Sequence, residues 1–246
     1  MRLEYVPLLQ TQHALYQLPR GFERFQEYLR TMIDTSTGDL KLPLAAMNPM
    51  GKEHVPAFIE QLLAMNTDTV AKDAIEQAGE TLHNEPGAYK VGLVVSDDLK
   101  GGWTNRYAAE FDYRFQPQAY YKRGWIVAIL WTSEIYTPEL ICEEVLAGVF
   151  RAVYARHNGR AHTLREMLVQ EGYAMRNANA TTPKFESEDF VYTREVLAPY
   201  LERTDQPTII AALFGDGAAQ QLGYPPLGLS SRAGLALALA ETKMAH

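Results

Sequence analysis

Residues 124–174 read GWIVAILWTSEIYTPELICEEVLAGVFRAVYARHNGRAHTLREMLVQEGYA, and the reading of the fold starts there. Ile126 to Trp131 is an unbroken apolar run of strand length, rich in β-branched and aromatic residues. Such a run fits a strand covered on both faces. Thr137-Pro138-Glu139 then opens a helix. Threonine can cap free N–H groups, proline suits the first helical position, and glutamate complements the helix dipole. The spacing predicts a helix to about His157, stopped by Asn158-Gly159. That helix is apolar almost all round. Ile141, Val145, Gly148, Val149 and Ala152 form one face, and Leu146, Phe150 and Val153 much of another. Glu143, Glu144, Ala147 and Arg151 form a polar and small stripe. A helix of this kind is buried, and its stripe must face a cavity, a partner charge or water.

A second helix starts near Thr163 and carries Thr163-Leu164-Arg165-Glu166-Met167-Leu168-Val169-Gln170-Glu171-Gly172-Tyr173-Ala174. Further on, Gly223-Tyr224-Pro225-Pro226-Leu227-Gly228 precedes a last helix. Over residues 88–240 this order resembles the predicted zinc-dependent proteases of the zincin type, a large bacterial group. In that group a buried strand leads to a helix with H-E-x-x-H. A following helix with T-L-x-x-x-L-x-x-E-G-x-A supplies a third zinc ligand, and a G-Y-x-x-G segment opens the last helix.

The resemblance implies an α+β, zincin-like fold, with a small, mainly antiparallel sheet packed with helices around a long buried central helix. One domain over 1–246 is expected, with a helical N-terminal part (1–85) packed on a zincin-like core (86–246), because three strands alone make too thin a core layer. In the family's register H-E-x-x-H becomes Glu143-Glu144-Val145-Leu146-Ala147. Glu144 falls on the general-base position, while Glu143, Ala147 and Glu171 fall on the vestigial metal positions. Zinc needs three protein ligands of suitable type, so no metal and no cofactor is expected. The first functional expectation is a catalytically silent protein whose former cleft binds an unknown peptide, protein or small molecule. The cleft candidates are Arg151 of the central helix and Trp103, Tyr107 and Tyr113 of an aromatic strand, which in such a scaffold could pair with an extended peptide. The alternatives are a non-zinc enzyme with Glu144 as general acid or base, and a purely structural or assembly role.

Composition narrows the partners. The 246-residue chain carries a net charge of −7, against a general nucleic-acid-binding surface. No apolar run approaches the roughly 20 residues of a membrane span. The opening MRLEYVPLLQTQ lacks the pattern of a signal peptide, so the expected location is cytoplasmic. The one cysteine, Cys142, reads as a small hydrophobe on the central helix.

Upstream, apolar spacing predicts helices over about 20–34, 52–65 and 66–83. Tyr89 to Val95 reads as a strand, and residues 97–102 as a hairpin turn with solvated aspartates. Arg106 to Phe115 alternates and reads as a half-buried strand. Helices follow over about 187–201, 208–221 and 230–245. No two of the six histidines are three or four residues apart, so no helical metal pair exists. Glu144 is expected to pair with Arg151, two turns on, or with Arg165. Gly215-Asp216-Gly217 begins like a dinucleotide loop but lacks the final glycine.

Overall fold

The computed structural model describes residues 1–99, 105–181 and 185–244. Along the chain lie β1 (Arg2–Tyr5), α1 (Leu8–Gln17), α2 (Phe22–Met32), α3 (His54–Ala64), α4 (Thr67–Thr81), β2 (Ala88–Ser96), α5 (Arg106–Phe115), α6 (Gln118–Lys122) and β3 (Trp125–Trp131). Then follow α7 (Pro138–Asn158), α8 (Leu164–Asn177), α9 (Ser187–Leu197), α10 (Gln206–Phe214), α11 (Asp216–Gln221) and α12 (Ala233–Met244). The fold mixes α and β, with helix predominating. None of the described helices is long and apolar enough to cross a membrane. The contacts define two compact units, Met1–Ala109 with Pro117–Gly148, and Glu110–Gln116 with the chain from Val149 onward.

The first unit contains the sheet, in the order β1-β2-β3, with both pairs parallel. This corrects the antiparallel expectation, and the cause is local. Residues 106–115 form helix α5, not a strand. Their alternation coincides with a 3–4 spacing, and the helix buries Glu110, Phe111, Arg114 and Phe115. Asn105 starts it, its Oδ1 accepting from the N–H groups of Tyr107 (2.9 Å) and Ala108 (3.2 Å). With a helix there, the link from β2 to β3 becomes a crossover, which parallel pairing requires. Residues 2–5 supply the third strand.

β2 buries every residue from Val91 to Ser96, as a central strand covered on both faces does. β1 ends where Tyr5 pairs with Val91. Beyond that point Gln12 of α1 substitutes for it. Its amide accepts from Val95 N–H (2.8 Å) and donates to Val95 C=O (2.9 Å), fully buried. On β3, Trp125, Ile126 and Ala128 to Trp131 are buried, as their apolar run predicts.

The second unit is helical. Gly172 lets α8 meet α12 at backbone distance, since a Cβ there would stand 2.6 Å from Ala238 O. Gly234 does the same for α12 against α10, with Ala212 O 2.2 Å from its missing Cβ. The run Ile209 to Phe214 is wholly buried beneath these crossings. Thr163, where the second helix is expected to start, caps α8 in a reciprocal box with Glu166.

Candidate functional site

Glu171, the residue on the third-ligand position, is fully buried in the second unit. Arg151 reaches it from α7, with Nε 2.8 Å from Oε1 and Nη2 2.9 Å from Oε2. Arg114 of α5 donates Nη1 to Oε2, and Gln170 adds Nε2 at 3.3 Å. Arg114 also grips Glu110, with Nη2 2.7 Å from Oε1. Arg232 closes the array on Glu110 with two bonds of 2.9 Å. Three guanidiniums thus enclose two carboxylates. Burial pushes the Glu171 carboxyl up, but Arg151 and Arg114 outweigh it and hold it below the ordinary carboxylate value.

This array corrects one expected pairing. The bonds of Arg151 go to Glu171, and Arg165 pairs at the surface with Glu202 (2.8 Å). Glu143 and Glu144 are half-buried on α7 and Ala147 is buried. All three belong to the first unit, whereas Glu171 belongs to the second. Glu144 lies close enough to raise the Tyr136 phenol, although burial is the larger cause. Tyr107 and Tyr113 are half-buried on helix α5, so they cannot offer a strand edge. Trp103 lies outside the described residues. Cys142 is half-buried, and burial raises its thiol further, which fits an inert side chain.

A second polar array, in the first unit, escaped the sequence reading. It sits where β2 and β3 end. Asp97, directly after β2, has a fully buried side chain. Its Oδ1 accepts from His54 Nε2 (2.8 Å), Leu99 N–H (3.2 Å) and Thr132 Oγ1 (3.2 Å). Its Oδ2 accepts no hydrogen bond among the described residues. The same Thr132 hydroxyl lies 3.1 Å from Asp98 Oδ1, so two carboxylates share one hydroxyl proton. Asp98 also accepts from Ser133 N–H (2.9 Å) and Ser133 Oγ (2.6 Å). Arg106, at the start of α5, bonds Asp98 (3.2 Å), Ser133 Oγ (2.8 Å) and Glu134 (2.5 Å). The guanidinium also lies over the Trp131 ring, at 5.4 Å.

A continuous hydrogen-bonded chain therefore runs from Glu134 through Arg106, Asp98 and Thr132 to Asp97 and His54. The expected solvated turn at Asp97-Asp98 is instead an anchored polar cluster. One signal could have found it. Once residues 106–115 are read as a helix, the two aspartates stand at the carboxyl end of a parallel strand, where open α/β sheets bind ligands. Among the described residues, no group of three His, Cys, Asp or Glu side chains could hold a metal ion.

No protein-family model, curated protein or solved structure matches this chain.

Proposed function

We propose that this chain is a ligand-binding protein without metallopeptidase activity, and that it binds at the carboxyl ends of β2 and β3. The observation that carries the reading is the contrast between two buried carboxylates. Both Glu171 oxygens are held by guanidiniums, so a metal ion would have to displace arginines from it. Asp97 keeps one oxygen without a hydrogen-bond partner among the described residues, in a polar cluster at a sheet end. Groups fixed this way suit recognition of a small molecule. Thermal-shift screening against amines, sugars, nucleosides, carboxylates and phosphates tests the proposal. A stabilising class should emerge, and its effect should vanish in Arg106→Ala. No stabilising class, or one indifferent to Arg106, overturns it.

A zincin ancestry forms part of the same proposal. It is supported by the order of β3, α7, a short loop and the capped α8 with Glu171-Gly172. A homologue that keeps this order of elements and carries H-E-x-x-H in place of residues 143–147 would support the ancestry, and homologues with unrelated residues there would remove it and leave the ligand-binding reading intact.

A further inference from the structure

We infer that His54 is a proton-transfer residue, positioned by Asp97, acting on uncharged substrates at the carboxyl ends of β2 and β3. The inference takes its location from the ligand-binding proposal and adds a chemistry to it. His54 is the first residue of α3, held by the helix that buries Val55, Ile59 and Leu62. Its side chain is 29% exposed, while that of its partner Asp97 is 0% exposed. A buried carboxylate behind a partly exposed imidazole fixes the ring at the sheet end.

The hydrogen-bond roles follow from the partners. A carboxylate only accepts, so the His54 nitrogen facing Asp97 Oδ1 at 2.8 Å carries the hydrogen. Nδ1 is then the basic nitrogen, and the Asp97 charge stabilises the imidazolium formed when it takes a proton. Asp97 is in turn fixed by Leu99 N–H and Thr132 Oγ1 at 3.2 Å each. An imidazole held in one tautomer by an anchored carboxylate is the arrangement that general-base catalysis needs.

Charge selects the substrate. The cluster holds three carboxylates, Asp97, Asp98 and Glu134, against the Arg106 guanidinium. Anionic substrates are therefore disfavoured, and neutral ones carrying or reacting with an O–H group are admitted. In the simplest such step Nδ1 takes a proton from water as the water oxygen bonds to an ester carbonyl carbon. The carbon–oxygen bond to the leaving alkoxide then breaks. The new carboxylic acid loses its proton to solvent, and the imidazolium returns its own to the leaving group or to solvent.

Two measurements on the full-length protein test this. Nitrogen-15 NMR of the neutral His54 ring should show hydrogen on Nε2, with the preference lost in Asp97→Asn. Hydrolysis of p-nitrophenyl acetate should fall about tenfold or more in His54→Gln and by a smaller factor in Asp97→Asn. The anionic ester mono-p-nitrophenyl succinate should react at least about fivefold more slowly than the acetate. A hydrogen on Nδ1, an esterase rate unchanged in His54→Gln, or faster reaction of the anionic ester would each overturn the inference. Because the NMR readout needs only the wild-type fold, an unstable variant does not shield it. Loss of the ligand effect in the screen, with tautomer and rate intact, would unseat the binding proposal alone.

Discussion

Arg151 meets Glu171 side-on, with Nε 2.8 Å from one carboxylate oxygen and Nη2 2.9 Å from the other. This two-point contact joins α7 to α8 inside the helical unit, and Arg114 completes it from α5. A buried pair of this geometry is costly to break, because removing one partner strands the other charge away from water. Glu171→Gln should therefore destabilise the protein by about 3–5 kcal/mol. The double change Glu171→Met with Arg151→Met should recover part of that loss, since it removes the stranded Arg151 charge while Arg114 keeps its bond to Glu110. Urea unfolding of the three proteins measures both. A double variant less stable than Glu171→Gln would show that the arginine has a role beyond this pairing.

The same contact makes stability depend on acid. The folded-state value of Glu171 lies below its ordinary 4.5, held there by Arg151 and Arg114 against the opposing effect of burial. A depressed carboxylate contributes stability that is fully present above its unfolded value and lost as pH falls through the folded one. The stability gap between wild type and Glu171→Gln should thus be constant above about pH 5 and shrink as the pH drops below about 4.5. Chemical denaturation at stepped pH follows the gap. A gap that widens in acid would reverse the assigned direction.

Gln12 completes the hydrogen bonding of Val95 where β1 has run out. Gln12→Leu keeps much of the volume but leaves a buried N–H and a buried C=O unsatisfied, at about 1–3 kcal/mol each. The variant should lose about 2–6 kcal/mol of stability, and the Val95 amide should exchange much faster with solvent. Hydrogen exchange at Val95 is the direct reading, and an unchanged rate would mean that another group takes over the bond.

Asp216 gathers the loop before the last helix. Its carboxylate accepts from the N–H groups of Leu227 (2.8 Å), Gly228 (3.0 Å) and Leu229 (3.1 Å). The residues that begin like a dinucleotide loop thus serve a structural purpose. Asp216→Ala should cost about 1–3 kcal/mol and accelerate exchange at those three amides. Faster exchange at Ala211 to Phe214, with the loop unaffected, would contradict the assignment.

Elements whose signals are local were readable in the chain alone. The run Ile126–Trp131 became a buried strand, Thr137-Pro138 a helix start, Asn158-Gly159 its stop, and Thr163 the start of the next helix. Each of these rests on a few neighbouring residues, so no distant contact is needed to read it. Residues 106–115 satisfy two periods at once, and only packing resolved them. The helix could bury Phe111 and Phe115 while placing Glu110 and Arg114 among charged partners brought from residues 151, 171 and 232. That one choice turned an antiparallel sheet into a parallel one. The site followed the same division. The pattern Glu171-Gly172 was visible in the chain, but its meaning was decided by the arginines beside Glu171 and the α12 backbone against Gly172. His54 and Asp97, 43 residues apart, carry no joint signal in the sequence. They meet because α3 begins beside the end of the central strand, and only the tertiary structure sets that distance.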